Sequence, residues 1–251
     1  MLEYAVSVAR RAGALLIEGL DRPPAIELKS PFEVVTAIDR ASEALIVTAL
    51  VEQFPGHAIV SEEGAGVECQ SAYRWIIDPL DGTNNYAHGF PAFCVSIGLV
   101  YHDQLHLGVV YDPLRNELFT AQAGQGAWCN GRRLQVAATP TLAAALVSTG
   151  FPYDYGQVLH NNRDQFDRIQ SCCQGVRRAG SAALDLAYVA AGRLDAHWEL
   201  RLKPWDSAAG ALMIQEAGGK LSDWRGAAWS PWSDDLVASN GHIHAELMEL
   251  L

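Results

Sequence analysis

Between Leu2 and Leu20 the apolar positions repeat at helical spacing, with Glu3 and Glu18 left on the wet side, which predicts an amphipathic first helix. Glu27-Leu28-Lys29 and Val34-Val35-Thr36 read as two short strands around a turn at Ser30-Pro31. Thr36 then suits the cap of a second helix, which turns Leu45, Ile46, Ala49 and Leu50 inward and ends near Phe54-Pro55-Gly56. His57 to Ser61 reads as a strand running into Glu62-Glu63-Gly64, and residues 65–73 as a loop. Trp75-Ile76-Ile77 follows as a buried strand that stops at Asp78, because Pro79 has no backbone donor to continue a central ladder.

Phe93 to Tyr101, Leu105 to Tyr111, Glu117 to Ala121 and Gly126 to Cys129 are punctuated by His102-Asp103, Asp112-Pro113 and Asn130-Gly131, the pattern of an antiparallel meander. A strand near Ala145 to Ser148 precedes the polar loop Gly150 to Asp154, and Leu159 to Cys173 predicts a helix. Ser181 caps a helix over Ala182 to Ala191, and Asp195 to Leu200 returns as a strand bearing Glu199. Lys203-Pro204-Trp205-Asp206 opens another helix, whose small residues Ser207, Ala208, Ala209 and Gly210 allow close approach to a second backbone; it ends at Gly218-Gly219. Strands at Lys220 to Trp224 and Leu236 to Ser239 and a helix from His242 to Leu251 complete the pattern, without an internal repeat.

Charge narrows the function classes. A formal net charge of -11, with no basic stripe, argues against a nucleic-acid partner and leaves cation capture as a use for the acidity. The longest apolar patch near the start, Ala12 to Ile17, is far too short to span a membrane, so the expectation is a cytoplasmic protein with no membrane partner. Five cysteines without metal-finger spacing suit reduced thiols, and the pair Cys172-Cys173 fits a helix better than redox chemistry.

The candidate chemistry centres on Asp78-Pro79-Leu80-Asp81-Gly82-Thr83-Asn84-Asn85-Tyr86. A strand end that delivers two carboxylates and the Leu80 carbonyl offers hard oxygen ligands, and a short helix starting at Thr83 offers an anion site beside them; a plain polar turn has the same composition. Asp39 and Asp206 each lie in the first turn of a helix, where a carboxylate also serves as a cap. Of the neighbours Glu62 and Glu63, strand geometry lets one face a given site while the other reaches from the rim. His242 and His244 read as helix-entry residues, and Trp224, Trp229 and Trp232 as loop packing. Cys172 and Cys173 have Arg177 and Arg178 close behind, but no glycine-rich cradle lies between them to suggest a cysteine phosphatase.

Taken together, Asp78 to Tyr86, Trp205-Asp206-Ser207-Ala208-Ala209-Gly210, Glu62-Glu63 and Thr36-Ala37-Ile38-Asp39 resemble the inositol monophosphatase family, magnesium-dependent and lithium-sensitive phosphatases. Gly180-Ser181-Ala182, Glu199, Glu216 to Gly219 and Ala238 to Gly241 fit the same pattern, so the resemblance covers nearly the whole chain. It implies an α+β fold, a layered αβαβα sandwich formed as a single domain over residues 1–251 and paired as a homodimer. It further implies that Glu62, Asp78 and the Leu80 carbonyl hold a first Mg2+ ion, that Asp78, Asp81 and Asp206 hold a second, and that a weaker third ion sits near Glu62. Thr83 and Asp39 would position the attacking water, Gly82 and Thr83 would lend backbone donors to the phosphate, and Ser181, Ala182, Asp206 and Glu199 would meet the substrate.

Physical chemistry bears on those roles independently. Hydrolysis of phosphate monoesters needs accelerations of up to ~10²¹, whereas one general base supplies about 10² to 10⁴, and metal ions account for much of the difference. Gathering like charges without cations is costly, at about 4 kcal/mol for a pair 4 Å apart in an intermediate dielectric. An acidic Glu199 suits a hydroxyl-rich ring better than a second phosphate, so the expected substrate is inositol monophosphate or a similar small polyol or sugar phosphate. Fructose 1,6-bisphosphate, 3′-phosphoadenosine 5′-phosphate and histidinol phosphate stay open as substrates of relatives with the same metal constellation, and a magnesium-binding regulatory protein is the non-enzymatic alternative.

Overall fold

A computed structural model describes residues 1–20, 26–30, 33–153, 156 and 161–251. The chain starts with α1 (Leu2–Leu20), the antiparallel hairpin β1 (Ile26–Ser30) and β2 (Glu33–Thr36), and α2 (Ala37–Gln53). Next come β3 (Ala58–Ser61), β4 (Tyr73–Asp81), α3 (Thr83–Ala87), β5 (Cys94–Tyr101), β6 (Gln104–Asp112), β7 (Glu117–Gln122), β8 (Gly126–Cys129) and β9 (Arg132–Arg133). The remainder is β10 (Leu146–Thr149), α4 (Arg163–Gln170), β11 (Gly175–Arg177), α5 (Ala182–Ala190), β12 (Ala196–Leu200), α6 (Pro204–Glu216), β13 (Lys220–Ser222), β14 (Asp235–Ser239) and α7 (His244–Met248).

Strands β3 to β9 form one sheet in sequence order, and the second runs β11-β10-β12-β14-β13. Apolar clusters bind the layers. Val8, Ala12 and Leu16 of α1 and Ile46 and Leu50 of α2 pack on Trp75, Ile77, Ile97 and Val109 of the larger sheet. On its other face, α5 and α6 fill the space up to Leu236 and Ala238 of the second sheet. Ile169, Ile243 and Leu247 cover the far side of that second sheet. The result is the α+β layered sandwich, helix-sheet-helix-sheet-helix. The close approach expected of the small residues in α6 is present: a side chain on Gly108 of β6 would stand 2.8 Å from the Ala209 carbonyl oxygen.

Several elements differ from the sequence expectation. β4 does not stop at Asp78 but runs through Pro79 to Asp81, because a bulge intervenes: Asp78 pairs with Ser96 and Asp81 with Cys94, so two residues face one and Pro79 needs no ladder donor. The helix expected over Leu159 to Cys173 covers Arg163–Gln170; Leu159 lies outside the described residues, as do Pro31 and Asp154. Cys172 and Cys173 follow that helix rather than sit in it, and all five cysteines are free. Strand β11, only three residues long, had no legible pattern. The last helix is shorter than His242 to Leu251, and β13 ends at Ser222 rather than Trp224. Among the described residues, no helix is long and apolar enough to cross a membrane.

Candidate active site

The bulge in β4 turns both of its aspartates to one side of the sheet's end. The carboxylate of Asp78 accepts the Leu80 N–H at 3.0 Å, and Ser42 on α2 donates to the Pro79 carbonyl at 2.8 Å, which fixes the irregular backbone. Gly82 then takes φ 92°, and a Cβ there would stand 2.7 Å from the Ala92 carbonyl oxygen, so only glycine makes this corner without strain. Asn85 donates to the carbonyls of Ala92, Ala179 and Gly180 at 2.6, 2.8 and 3.1 Å, tying α3 to the approach of α5.

Asp81 is anchored by α5. Its Oδ2 accepts from the Ser181 hydroxyl at 2.5 Å and from the Ala183 N–H at 2.8 Å, so the cap of that helix is Asp81, and Ser181 makes no side-chain cap bond. Asp206, in the first turn of α6, accepts the Lys203 N–H on Oδ2 at 2.7 Å. Asp39 is fully buried: Oδ2 accepts the Thr36 N–H at 2.8 Å and the Thr36 hydroxyl at 2.5 Å, and Oδ1 accepts the Thr83 hydroxyl at 2.8 Å.

Around this corner lies a cavity of about 1060 Å³. Glu62, Glu63, Asp78, Leu80, Asp81, Gly82, Thr83, Ser181, Ala182, Glu199 and Asp206 all line it, so ten of the eleven sequence candidates meet there with Glu63 as an added neighbour. Asp39 does not line it and reaches it through the Thr83 hydroxyl. Sequence reasoning missed Asp185, Arg178 and Arg201 in the lining and His197 behind it. Arg201 holds φ 61°, a left-handed position rare for a non-glycine residue. Only the tertiary fold brings these residues in.

Burial, then the charges of Glu62, Asp81 and Asp206, push the Asp78 carboxyl well above the usual carboxylate range. Burial raises Asp81 to about 6, against the Ser181 and Ala183 donors that pull it down. Asp206 is likewise held well above the usual range, first by burial and next by the charge of Asp81. Among the described residues neither Lys nor Arg forms an ion pair with Asp78, Asp81 or Asp206. The protein therefore gathers negative charge here without neutralising it, which is the donor set of a hard-cation site. Among the described residues no three acidic, imidazole or thiol groups form a ready-made metal cage.

Comparison with known proteins adds the following. The chain matches the inositol monophosphatase family over residues 1–251. It is 47% identical over 247 residues to the Nus factor SuhB of Pseudomonas aeruginosa, covering 96% of this chain and 91% of the relative. It is 42% identical over 252 residues to the inositol-1-monophosphatase of Synechocystis, covering 100% of this chain and 88% of that one. The solved structure of the inositol monophosphatase from Anabaena superposes with a TM-score of 0.91 at 43% identity, covering 99% and 94% of the two chains.

Proposed function

The chain belongs to the inositol monophosphatase family, a phosphatase of that superfamily with a small phosphorylated substrate, and from that premise we propose a magnesium-dependent phosphomonoesterase acting on inositol monophosphate or a similar small polyol phosphate. One observation carries this reading: Asp78, Asp81 and Asp206, from two separate elements, line one cavity beside the Thr83 hydroxyl without a basic partner among the described residues.

In this reading residues 1–251 act as one domain within a homodimer. Glu62, Asp78, the Leu80 carbonyl, Asp81 and Asp206, which line the cavity, would hold two or three Mg2+ ions. When bound, magnesium lowers the pKa of a coordinated water and neutralises the phosphoryl oxygens. The chain supplies the rest. Because Thr83 donates its hydroxyl proton to Asp39 Oδ1, its lone pairs are left to accept a hydrogen bond from the attacking water and so position it, and buried Asp39 keeps that orientation fixed. Backbone donors of Gly82 and Thr83 meet the phosphate, while Ser181, Ala182 and Glu199 meet the alcohol part. Attack is in line, with no covalent phosphoenzyme.

Phosphate release from inositol 1-phosphate, fructose 1,6-bisphosphate, 3′-phosphoadenosine 5′-phosphate and histidinol phosphate, with Mg2+ and with chelator, tests the reading. Release from inositol 1-phosphate only with Mg2+, suppressed by lithium and by Asp81→Asn, is expected; undiminished release by Asp81→Asn overturns it. The relative named Nus factor SuhB favours a second reading, a magnesium-holding protein that serves a partner without turnover. Flat activity on every monoester supports that one.

A further inference from the structure

Strand geometry puts His197 and Glu199 on one face of β12 and Trp198 on the other. Trp198 enters the outer core, while His197 turns toward α5 and is fully buried. Its Nδ1 lies 2.9 Å from the hydroxyl of Ser148, its register partner on β10, and 3.7 Å from Asp185 Oδ2. Its Nε2 lies 3.2 Å from Glu199 Oε2, off the direction of a linear hydrogen bond, and has no other polar partner among the described residues. A buried imidazole nitrogen left in that state is costly unless the carboxylate beside it compensates as a charge partner.

Glu199 is confined from the other side as well. A Cβ on Gly150 would stand 1.9 Å from Glu199 Oε1, so only a glycine leaves room for the carboxylate. Gly150 is itself anchored: Asn162 Nδ2 donates to its carbonyl and to Thr149 Oγ1, both at 2.7 Å, and Trp198 Nε1 donates to Asn162 Oδ1 at 2.7 Å. The Glu199 side chain keeps 16% exposure, which is its open edge on the cavity. Burial lowers the His197 pKa, but Glu199 and Asp185 outweigh it and leave the imidazole above its ordinary value.

We propose that His197 is a positioning residue which, with Gly150, clamps the Glu199 carboxylate as a fixed acceptor for the hydroxyls of a polyol monophosphate, and so sets substrate specificity. This rests on the phosphatase reading above. A fixed carboxylate rewards a substrate that offers O–H donors and repels one that presents a second anion at the same place. His197 acts through Glu199 and does not touch the substrate.

The test is steady-state kinetics with Mg2+ on inositol 1-phosphate and on p-nitrophenyl phosphate, whose leaving group offers no hydroxyl array, for wild type, His197→Phe, His197→Gln and Gly150→Ala. His197→Phe keeps ring volume and removes the charge partner. His197→Gln keeps an N–H donor near the Nε2 position, and Gly150→Ala pushes on Glu199 directly. Expected is a rise of about tenfold in KM for inositol 1-phosphate with His197→Phe and Gly150→Ala, and a smaller rise with His197→Gln, which keeps a polar N–H but not the charge partner. The KM for p-nitrophenyl phosphate should move by less than about twofold in all three, since an interaction it does not make cannot be lost. Crystals of His197→Phe should show the Glu199 carboxylate displaced from its wild-type position. Equal KM shifts for both substrates, or none for inositol 1-phosphate, overturn the proposal; if His197→Phe does not fold, Gly150→Ala decides by the same criterion. A wild type that turns over neither monoester overturns the phosphatase reading and this proposal together, whereas an active wild type with unselective variants overturns this one alone.

Discussion

Asp39 at the start of α2 and Asp206 at the start of α6 occupy the same helical position and make the same bond, accepting the backbone N–H of the residue three before them at 2.8 and 2.7 Å. They part at the second oxygen. Asp39 Oδ1 takes the Thr83 hydroxyl, and the whole carboxylate is buried among donors. Asp206 Oδ1 has no protein donor among the described residues and belongs to a side chain that lines the cavity, where burial and the charge of Asp81 raise its pKa. A first-turn acid is thus the same local signal in both places, and tertiary contact decides whether it finishes as a buried acceptor or as an unneutralised carboxylate on the cavity.

The contrast breaks most sharply under Asn substitution. Asp206→Asn keeps an oxygen for the Lys203 N–H but removes the charge, so Mg2+-dependent phosphate release should fall by at least ~10², judged against the 10- to 100-fold that outer-shell partners of a metal site already cost. The metal-free protein should be no less stable. Asp39→Asn should cost activity through Thr83 but differ by adding a stability loss of about 1–3 kcal/mol by thermal or denaturant unfolding, because an amide cannot accept all three hydrogen bonds as the carboxylate does. Two variants that behave alike in both assays would erase the distinction.

pH sharpens the same comparison. Asp81 binds its proton more tightly in the folded state, with a pKa of about 6, than in the unfolded chain, and Asp78 and Asp206 are displaced in the same direction. Between the ordinary carboxylate range and about 6, the native state therefore holds more protons than the unfolded one, and stability falls as pH rises. For Asp81 alone this is on the order of 3 kcal/mol, and the unfolding temperature of the metal-free protein should drop across that window. Mg2+ should restore it increasingly as pH rises, because cation and proton compete for the same oxygens. A metal-free protein whose stability climbs from pH 4 to pH 7 would contradict the assignment.

Gly82→Ala should cost roughly 1–3 kcal/mol, since φ 92° and the Ala92 carbonyl both oppose a methyl group; an unchanged unfolding midpoint would show that the corner relaxes freely. The smallest effect should be Thr83→Ser, which keeps the hydroxyl bonded to Asp39, with phosphate release within about tenfold of wild type, whereas Thr83→Val, which removes the hydroxyl that would position the water, should lose about 10² or more.

What the chain disclosed unaided follows the same division between local and tertiary causes. The meander from β5 to β8 and the amphipathic α1 were legible because alternation and helical spacing are written in neighbouring residues. The acids at Asp78, Asp81, Glu62 and Asp206 were legible through the order of their motifs. Pro79 misled because a bulge lets a proline stand inside a central strand, and a bulge is specified by the opposing strand rather than by the residues around it. Strand β11 is too short to show a period. His197 gave no signal, and its contact with Asp185 was not legible, until the parallel register of β10 and β12 set Ser148 beside the imidazole and α5 laid Asp185 against it.

The central claim, that Asp78, Asp81 and Asp206 share divalent cations beside Thr83, is tested most directly by anomalous diffraction from crystals grown with Mn2+. Expected is anomalous density among those three carboxylates, lost in Asp206→Asn crystals grown the same way. Density confined to other parts of the surface, or the same density in the variant as in wild type, would contradict it.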